Sequence, residues 1–138
     1  MSIETILVFA EGDEGGPSGL TLELMAAARS LASNVEAFVV GDGAAMAEEL
    51  GAHGASKVFS TGPLEGKLVG VHAAAALQAH IEASNPDAIF FGQTPDGRDT
   101  AARLAVRIAH IALQALAHVR RGGIVARVAR VFVLQALR

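Results

Sequence analysis

Short apolar runs alternate with stretches of helical periodicity along most of this chain, and that alternation limits its fold more than any other feature. ETILVFA at 4–10, VEAFVV at 35–40, KVFS at 57–60 and the apolar part of NPDAIFFG at 85–92 read as strands. Apolar runs without polar alternation suit strands covered on both faces, and strands separated by helices join through right-handed crossovers into a parallel sheet. The expected fold class is therefore α/β, a three-layer α/β/α Rossmann-like arrangement with a parallel sheet. A chain of 138 residues suits one domain spanning 1–138 and is long enough to bury a core.

The connections carry their own signals. GDEGGPSG at 12–19 is a loop, and Ser18 is placed to cap a helix whose Leu20, Leu24, Ala27, Ala28 and Leu31 make one apolar face. AAMAEELG at 44–51 reads as a short helix stopped by Gly51. KLVGVHAAAALQAHIEA at 67–83 is a longer one, with Leu68, Val71, Ala75 and Ala79 along a face. A further helix covers 98–108 through Leu104 and Ile108, and AHIALQALA at 109–117 can prolong it. HVRRGGIVARVARVFV at 118–133 then reads as a C-terminal β-hairpin turning at Gly122-Gly123, a pair that tolerates positive φ. Its second arm is apolar on both faces, so a partner or a second copy is expected to cover it.

Charge and composition exclude several classes. There is no cysteine, which removes disulfides, thiolate chemistry and Cys-based metal sites. The N-terminus has no basic segment before its apolar run, and that run is too short to span a bilayer, so a soluble cytoplasmic protein is expected and no membrane partner. Residues 1–99 hold all 14 acids and four bases, whereas residues 100–138 hold seven arginines and no acid. A basic end without Trp or Tyr, and with every Phe inside an apolar run, lacks stacking platforms for bases. It points to an acidic protein surface and not to nucleic acid.

Catalytic patterns are missing. No G-x-S-x-G elbow and no phosphate loop with Gly-Lys-Ser/Thr occurs. His53 and Ser56 are neighbours along the chain only, in what reads as a helix stop, and the five histidines show no metal-ligand spacing, so no metal is expected. Gly41-Asp42-Gly43 follows a strand and opens a helix, but Met46 stands where a dinucleotide fingerprint needs its third glycine. An ordinary strand-to-helix turn is the favoured reading there.

FFGQTPDGRDTAARLAVRI at 90–108 is the most informative stretch. Its loop falls at the carboxyl edge of the expected sheet, where open α/β folds take ligands, and leads into a helix start with free N–H groups. Gly92 and Gly97 would admit a ligand near the backbone, and Arg98 adds positive charge. Asp96 and Asp99, three apart, can instead cap the helix with carboxylates and repel a phosphate. Capping is the reading the residues favour, and the nucleotide reading stays open beside it.

ETILVFAEGDEG, LTLELMAAARSLASNVEAFVVG, GASKVF and GQTPDGRDTAARLAVRI, in this order and spacing, resemble the N-terminal domain of the electron transfer flavoprotein alpha subunit. The resemblance covers residues 3–108 and continues more weakly to Arg130-Val131-Phe132. It implies an adenine nucleotide alpha hydrolase-like fold and a beta-like subunit as partner, with a homo-oligomer as the other possibility. FAD is implied as the family's cofactor, held chiefly by a C-terminal domain whose signature has no counterpart in residues 1–138. The resemblance thus implies an assembly module for electron transfer, not an enzyme. As a nucleotide-binding fold it also leaves open a weak AMP or ATP site at Ala10, Glu11, Gly41, Gly92, Gln93, Thr94, Gly97, Arg98 and Asp99. A free-standing adenine-nucleotide-binding protein resembling universal stress proteins is the alternative, although the Gly-x-x-Gly…Gly-Ser/Thr loop of that class does not follow the fourth strand.

Overall fold

The computed structural model describes residues 2–13, 15–122 and 132–135, with side chains through His110. Strand β1 (Ile3–Ala10) leads through a small antiparallel pair, β2 (Gly12–Asp13) and β3 (Gly16–Pro17), into helix α1 (Gly19–Leu31). Then follow β4 (Ala32–Val39), α2 (Ala44–Ala52), β5 (Lys57–Ser60), α3 (Val69–Ser84), β6 (Ala88–Phe91), α4 (Pro95–Gly122) and β7 (Phe132–Gln135). The main sheet has the order β5-β4-β1-β6-β7 and all its pairings are parallel. The expected parallel α/β architecture is present.

Successive strand residues point to opposite faces, and both faces of β1 are buried. Ile6, Val8 and Ala10 pack with Leu24, Met25 and Ala28 of α1 and Leu50 of α2. Leu7 and Phe9 pack on the other side with Ala73, Ala74, Leu77 and Ile81 of α3 and Ala101 and Leu104 of α4. The Phe9 and Phe91 rings lie 5.3 Å apart in that second layer. At the amino end of the sheet the Asp87 carboxylate accepts the N–H groups of Glu4 and Thr5 at 2.9 and 3.0 Å, tying β1 to the start of β6.

Three expectations need correction. The last is the hairpin: α4 runs 28 residues to Gly122, so the expected first arm at 118–121 is helical, and β7 pairs parallel to β6. Ala, Leu, Gln and Arg between 109 and 121 favour helix, so Gly122 ends a helix where a turn was expected. Most of the supposed second arm, residues 123–131, lies outside the described residues. The face assigned to α3 is the wrong one. Leu68 and Val71 are 74% and 43% exposed, and Ala75 and Ala79 are exposed as well, while Gly70, Ala73, Ala74, Leu77 and Ile81 turn inward. In α1, Leu24 and Ala28 are buried as expected, but Ala27 and Leu31 face solvent and Thr21 and Met25 take the inner positions.

Candidate functional site

From β1 the chain winds outward to β4 and β5, then returns to the opposite side of β1 for β6 and β7. The connections leaving the carboxyl ends of β1 and β6 therefore diverge, and the crevice between them is the topological switch point at which such sheets bind ligands. Glu11 follows β1 and Thr94 follows β6, and the structure joins them.

The backbone of Glu11 is held by the first turn of α1. Its N–H donates to the Thr21 hydroxyl at 2.9 Å, which donates in turn to the Glu11 carbonyl at 2.8 Å, and the Ser18 N–H reaches the same carbonyl at 2.9 Å. Ser18 is the N-cap of α1 as expected, its hydroxyl accepting the Thr21 N–H at 3.2 Å. Fixed in this way, the Glu11 carboxylate accepts the Thr94 hydroxyl, with both oxygens 2.8 Å away.

The same hydroxyl accepts the Gly97 N–H at 2.8 Å, and the Thr94 carbonyl accepts the Arg98 N–H at 3.0 Å. Thr94 is thus the cap of α4, with Pro95 at the first helical position, where its missing N–H costs nothing. This corrects the assignment of Asp96 and Asp99 as caps and of Arg98 as the helix start. Asp96 stands in the first turn, where its charge suits the helix dipole. Asp99 lies against Gly70 of α3 and pairs with Arg103, whose Nε is 2.9 Å from both of its oxygens.

Gly97 is required by the chain's own packing, and Gly92 lies close against a Leu20 side chain. A Cβ on Gly92 would sit 2.7 Å from Leu20 Cδ2, and one on Gly97 would run into the Gly92 carbonyl oxygen and lie 2.9 Å from Thr94 Oγ1. The space beside these glycines is already occupied by protein. A cavity of about 150 Å³ remains in the crevice, lined by Glu11, Asp96, Ala10 and the apolar side chains of Phe9, Val40, Met46 and Val69. Pockets for drug-sized ligands run from roughly 300 to 1,000 Å³. Burial pushes the Glu11 carboxyl above its ordinary 4.5; the Thr94 hydroxyl pulls it back and the Asp96 carboxylate adds to the rise.

The other sequence candidates are more scattered. Gln93, Arg98 and Asp99 are exposed, and Gly92 and Gly97 are buried. Gly41, at φ +101°, donates its N–H to the Thr61 hydroxyl at 2.9 Å and bridges to Gly62. The Gly41–Gly43 stretch is a strand-to-helix turn, with the Asp42 carboxylate accepting the Ala44 N–H at 3.0 Å. His53 caps the carboxyl end of α2, and its Nδ1 lies 2.9 Å from the Glu49 carbonyl oxygen, while Ser56 bonds Asn34 and Val35. Among the described residues no group of three or more His, Cys, Asp or Glu is placed to hold a metal ion. No helix there is long and apolar enough to cross a membrane.

Sequence reasoning also passed over a buried polar cluster on the α3 side of the sheet. Glu36 of β4 is 5% exposed, and its carboxylate lies 3.9 Å from His80 Nε2 and 3.8 Å from Lys57 Nζ. The His80 ring packs 4.1 Å from that of Phe59. Burial lowers the His80 pKa, against the pull of the Glu36 charge and with the help of Lys57. A charged residue inside an otherwise apolar strand, VEAFVV, was the available signal.

Comparison with known proteins adds a lineage. A family model described as "Electron transfer flavoprotein domain" matches residues 6–127. The electron transfer flavoprotein subunit alpha of Mycobacterium tuberculosis is 34% identical over 122 residues, covering 86% of this chain and 38% of that protein. Its counterpart from Syntrophomonas wolfei subsp. wolfei is 32% identical over 112 residues, covering 73% of this chain and 32% of that protein. The chain thus spans about a third of the length of these relatives. A solved mycobacterial protein complexed with NADPH overlaps 73% of this chain and 28% of its own at a TM-score of 0.43 and 22% identity, too low a likeness to support inference.

Proposed function

The chain belongs to the electron transfer flavoprotein family, and from that premise we propose that residues 1–138 serve as an alpha-subunit-like assembly module in the cytoplasm. In this reading the segment pairs with a beta-type subunit, performs no catalytic step, and leaves the FAD to be held chiefly by protein outside it. One observation carries the reading. At the switch point, where a fold of this kind would grip a nucleotide, Glu11, Thr94 and the Gly97 amide bond one another. The helix-start amide suited to a phosphate has an internal acceptor, and the carboxylates of Glu11 and Asp96 beside it repel anions.

Calorimetry of the purified chain with AMP, ATP and FAD tests this. The expected outcome is no binding tighter than about 10 μM, or some −7 kcal/mol. AMP or ATP binding tighter than that, weakened by Thr94→Val, would favour the free-standing nucleotide-binding protein. A stoichiometric yellow flavin on the purified chain would overturn the assembly reading outright.

A further inference from the structure

We propose that the groove between α3 and α4 is a docking site for an amphipathic helix of a separate protein, one whose apolar ridge is bordered by carboxylates. The proposal rests on the assembly-module reading and names the surface and the chemistry of its partner. The groove has a volume of about 540 Å³ and is lined by Val71 of α3 and by Ala102, Arg103, Val106 and Arg107 of α4. Val71 is 43% exposed and Val106 is 71% exposed.

Helix α3 is apolar from Val69 to Leu77 apart from His72, the pattern of a segment covered on more than one side. Gly70, Ala73, Ala74, Leu77 and Ile81 are the side buried within this chain. Among the described residues, Val71 leaves a second apolar side uncovered next to Val106. Small residues on the floor let another backbone come close, the usual geometry for a helix laid into a groove.

Charge selects the occupant. Arg103 is held only by an exposed pair with Asp99, in which the two side chains are 46% and 48% exposed, and such pairs are weak. Arg107 donates to the Gln78 amide oxygen at 3.0 Å. Two guanidinium groups against the one carboxylate of Asp99 leave this rim net cationic, and it calls for carboxylates. Residues 100–138 do not provide them, for they hold seven arginines and no acid. A second copy is a poor fit: a two-fold contact of groove on groove would set Arg103 and Arg107 against themselves, and a head-to-tail contact need not close. A membrane surface calls for projecting Trp, Phe or Leu side chains, whereas the groove lining is Val and Ala, with the exposed Leu68 outside it.

Two synthetic helical peptides of about 18 residues test the proposal. Both carry one Leu/Ala stripe, bordered by Glu in the first and by Lys in the second, and each is titrated into the full chain by fluorescence anisotropy. The Glu-bordered peptide is expected to bind about tenfold or more tightly than the Lys-bordered one. Val106→Glu is expected to abolish that binding without moving the melting temperature, because Val106 is mostly exposed. Arg103→Glu combined with Arg107→Glu is expected to reverse the preference. Equal affinity for the two peptides, no binding of either, or indifference to Val106→Glu overturns the proposal. So does a dimer that Val106→Glu dissolves, which would assign the groove to a second copy, or Val106-dependent binding to phosphatidylserine vesicles in place of peptide. AMP titration of the same protein separates the two readings: tight AMP binding with the peptide preference intact removes the sealed-rim reading and leaves the groove.

Discussion

Replacing Thr94 with valine keeps the shape of the side chain and removes one hydroxyl that does two jobs. As acceptor from the Gly97 N–H it caps α4, and loss of such a cap costs about 1 kcal/mol. As donor it satisfies the Glu11 carboxylate. Hydrogen bonds to charged groups contribute about 1.5–3 kcal/mol when buried. Glu11 is only partly buried, so solvent screening reduces that to about 1 kcal/mol. Thr94→Val should then destabilise the protein by about 2 kcal/mol near neutral pH, or roughly 6–10 °C in Tm for a chain of this size. The loss should also depend on pH. A carboxyl with a folded pKa above its unfolded value holds its proton more tightly when folded, so folding weakens as pH rises from 4.5 through the raised value. The Thr94 bond lowers that folded pKa, and without it the decline deepens. Urea denaturation of wild type and variant at about pH 4 and about pH 7 measures the difference, with the other carboxylates cancelling between the two proteins. The penalty should be larger at the higher pH, its pH dependence should vanish in a Glu11→Gln background, and Thr94→Ser should restore most of the stability. A penalty below about 0.5 kcal/mol, or one equal at both pH values, refutes the reasoning.

Gly97→Ala sets helix propensity against packing. Alanine is favoured inside a helix by about 1 kcal/mol, but here its Cβ meets the Gly92 carbonyl oxygen, a backbone atom that cannot swing aside. Overpacking of about 1–3 kcal/mol should win, so urea denaturation is expected to show net destabilisation; a stabilised variant would contradict the closed rim. Glu36→Gln removes the charge that holds the His80 pKa up, so His80 should titrate still further below 6.5, as followed by NMR of its ring. A histidine with a lowered folded pKa takes up its proton more readily when unfolded, so stability is lost as pH falls below 6.5, and the variant should lose it more steeply. An unmoved or raised His80 titration would mean that the 3.9 Å approach has no electrostatic effect.

The strands were legible in the sequence because burial on both faces demands unbroken apolar runs, and Ile6–Ala10 has one. The orientation of α3 was not. When Gly70, Ala73, Ala74, Val71 and Ala75 are all small or apolar, hydrophobic periodicity has no contrast to read. What decides is close approach: Gly70 faces inward because a Cβ there would meet Asp99. The α4 cap was legible and was misread, since Thr-Pro marks an N-cap and first helical residue more directly than the two aspartates do. Gly122-Gly123 misled because a turn signal is local, whereas parallel pairing of β7 with β6 is settled by the sheet.

The Glu11–Thr94 bond lay beyond any local reading, since its partners are 83 residues apart and meet only at the switch point. A hydroxyl can accept an amide proton and donate its own to a carboxylate at once, so one threonine ties the segment after β1 to the start of α4. That bonding gives the Gly97 amide at the start of α4 an acceptor within the chain. The outer side of α3 shows the opposite condition, an apolar helix face with no cover among the described residues and a cationic border beside it. Where the inner site is satisfied by the chain itself and an outer face is left unsatisfied, selection for binding has more to act on at the flank than at the rim. On that reasoning, substitutions at Val71 and Val106 should alter assembly with little effect on folding, and substitutions at Thr94 and Gly97 should do the reverse.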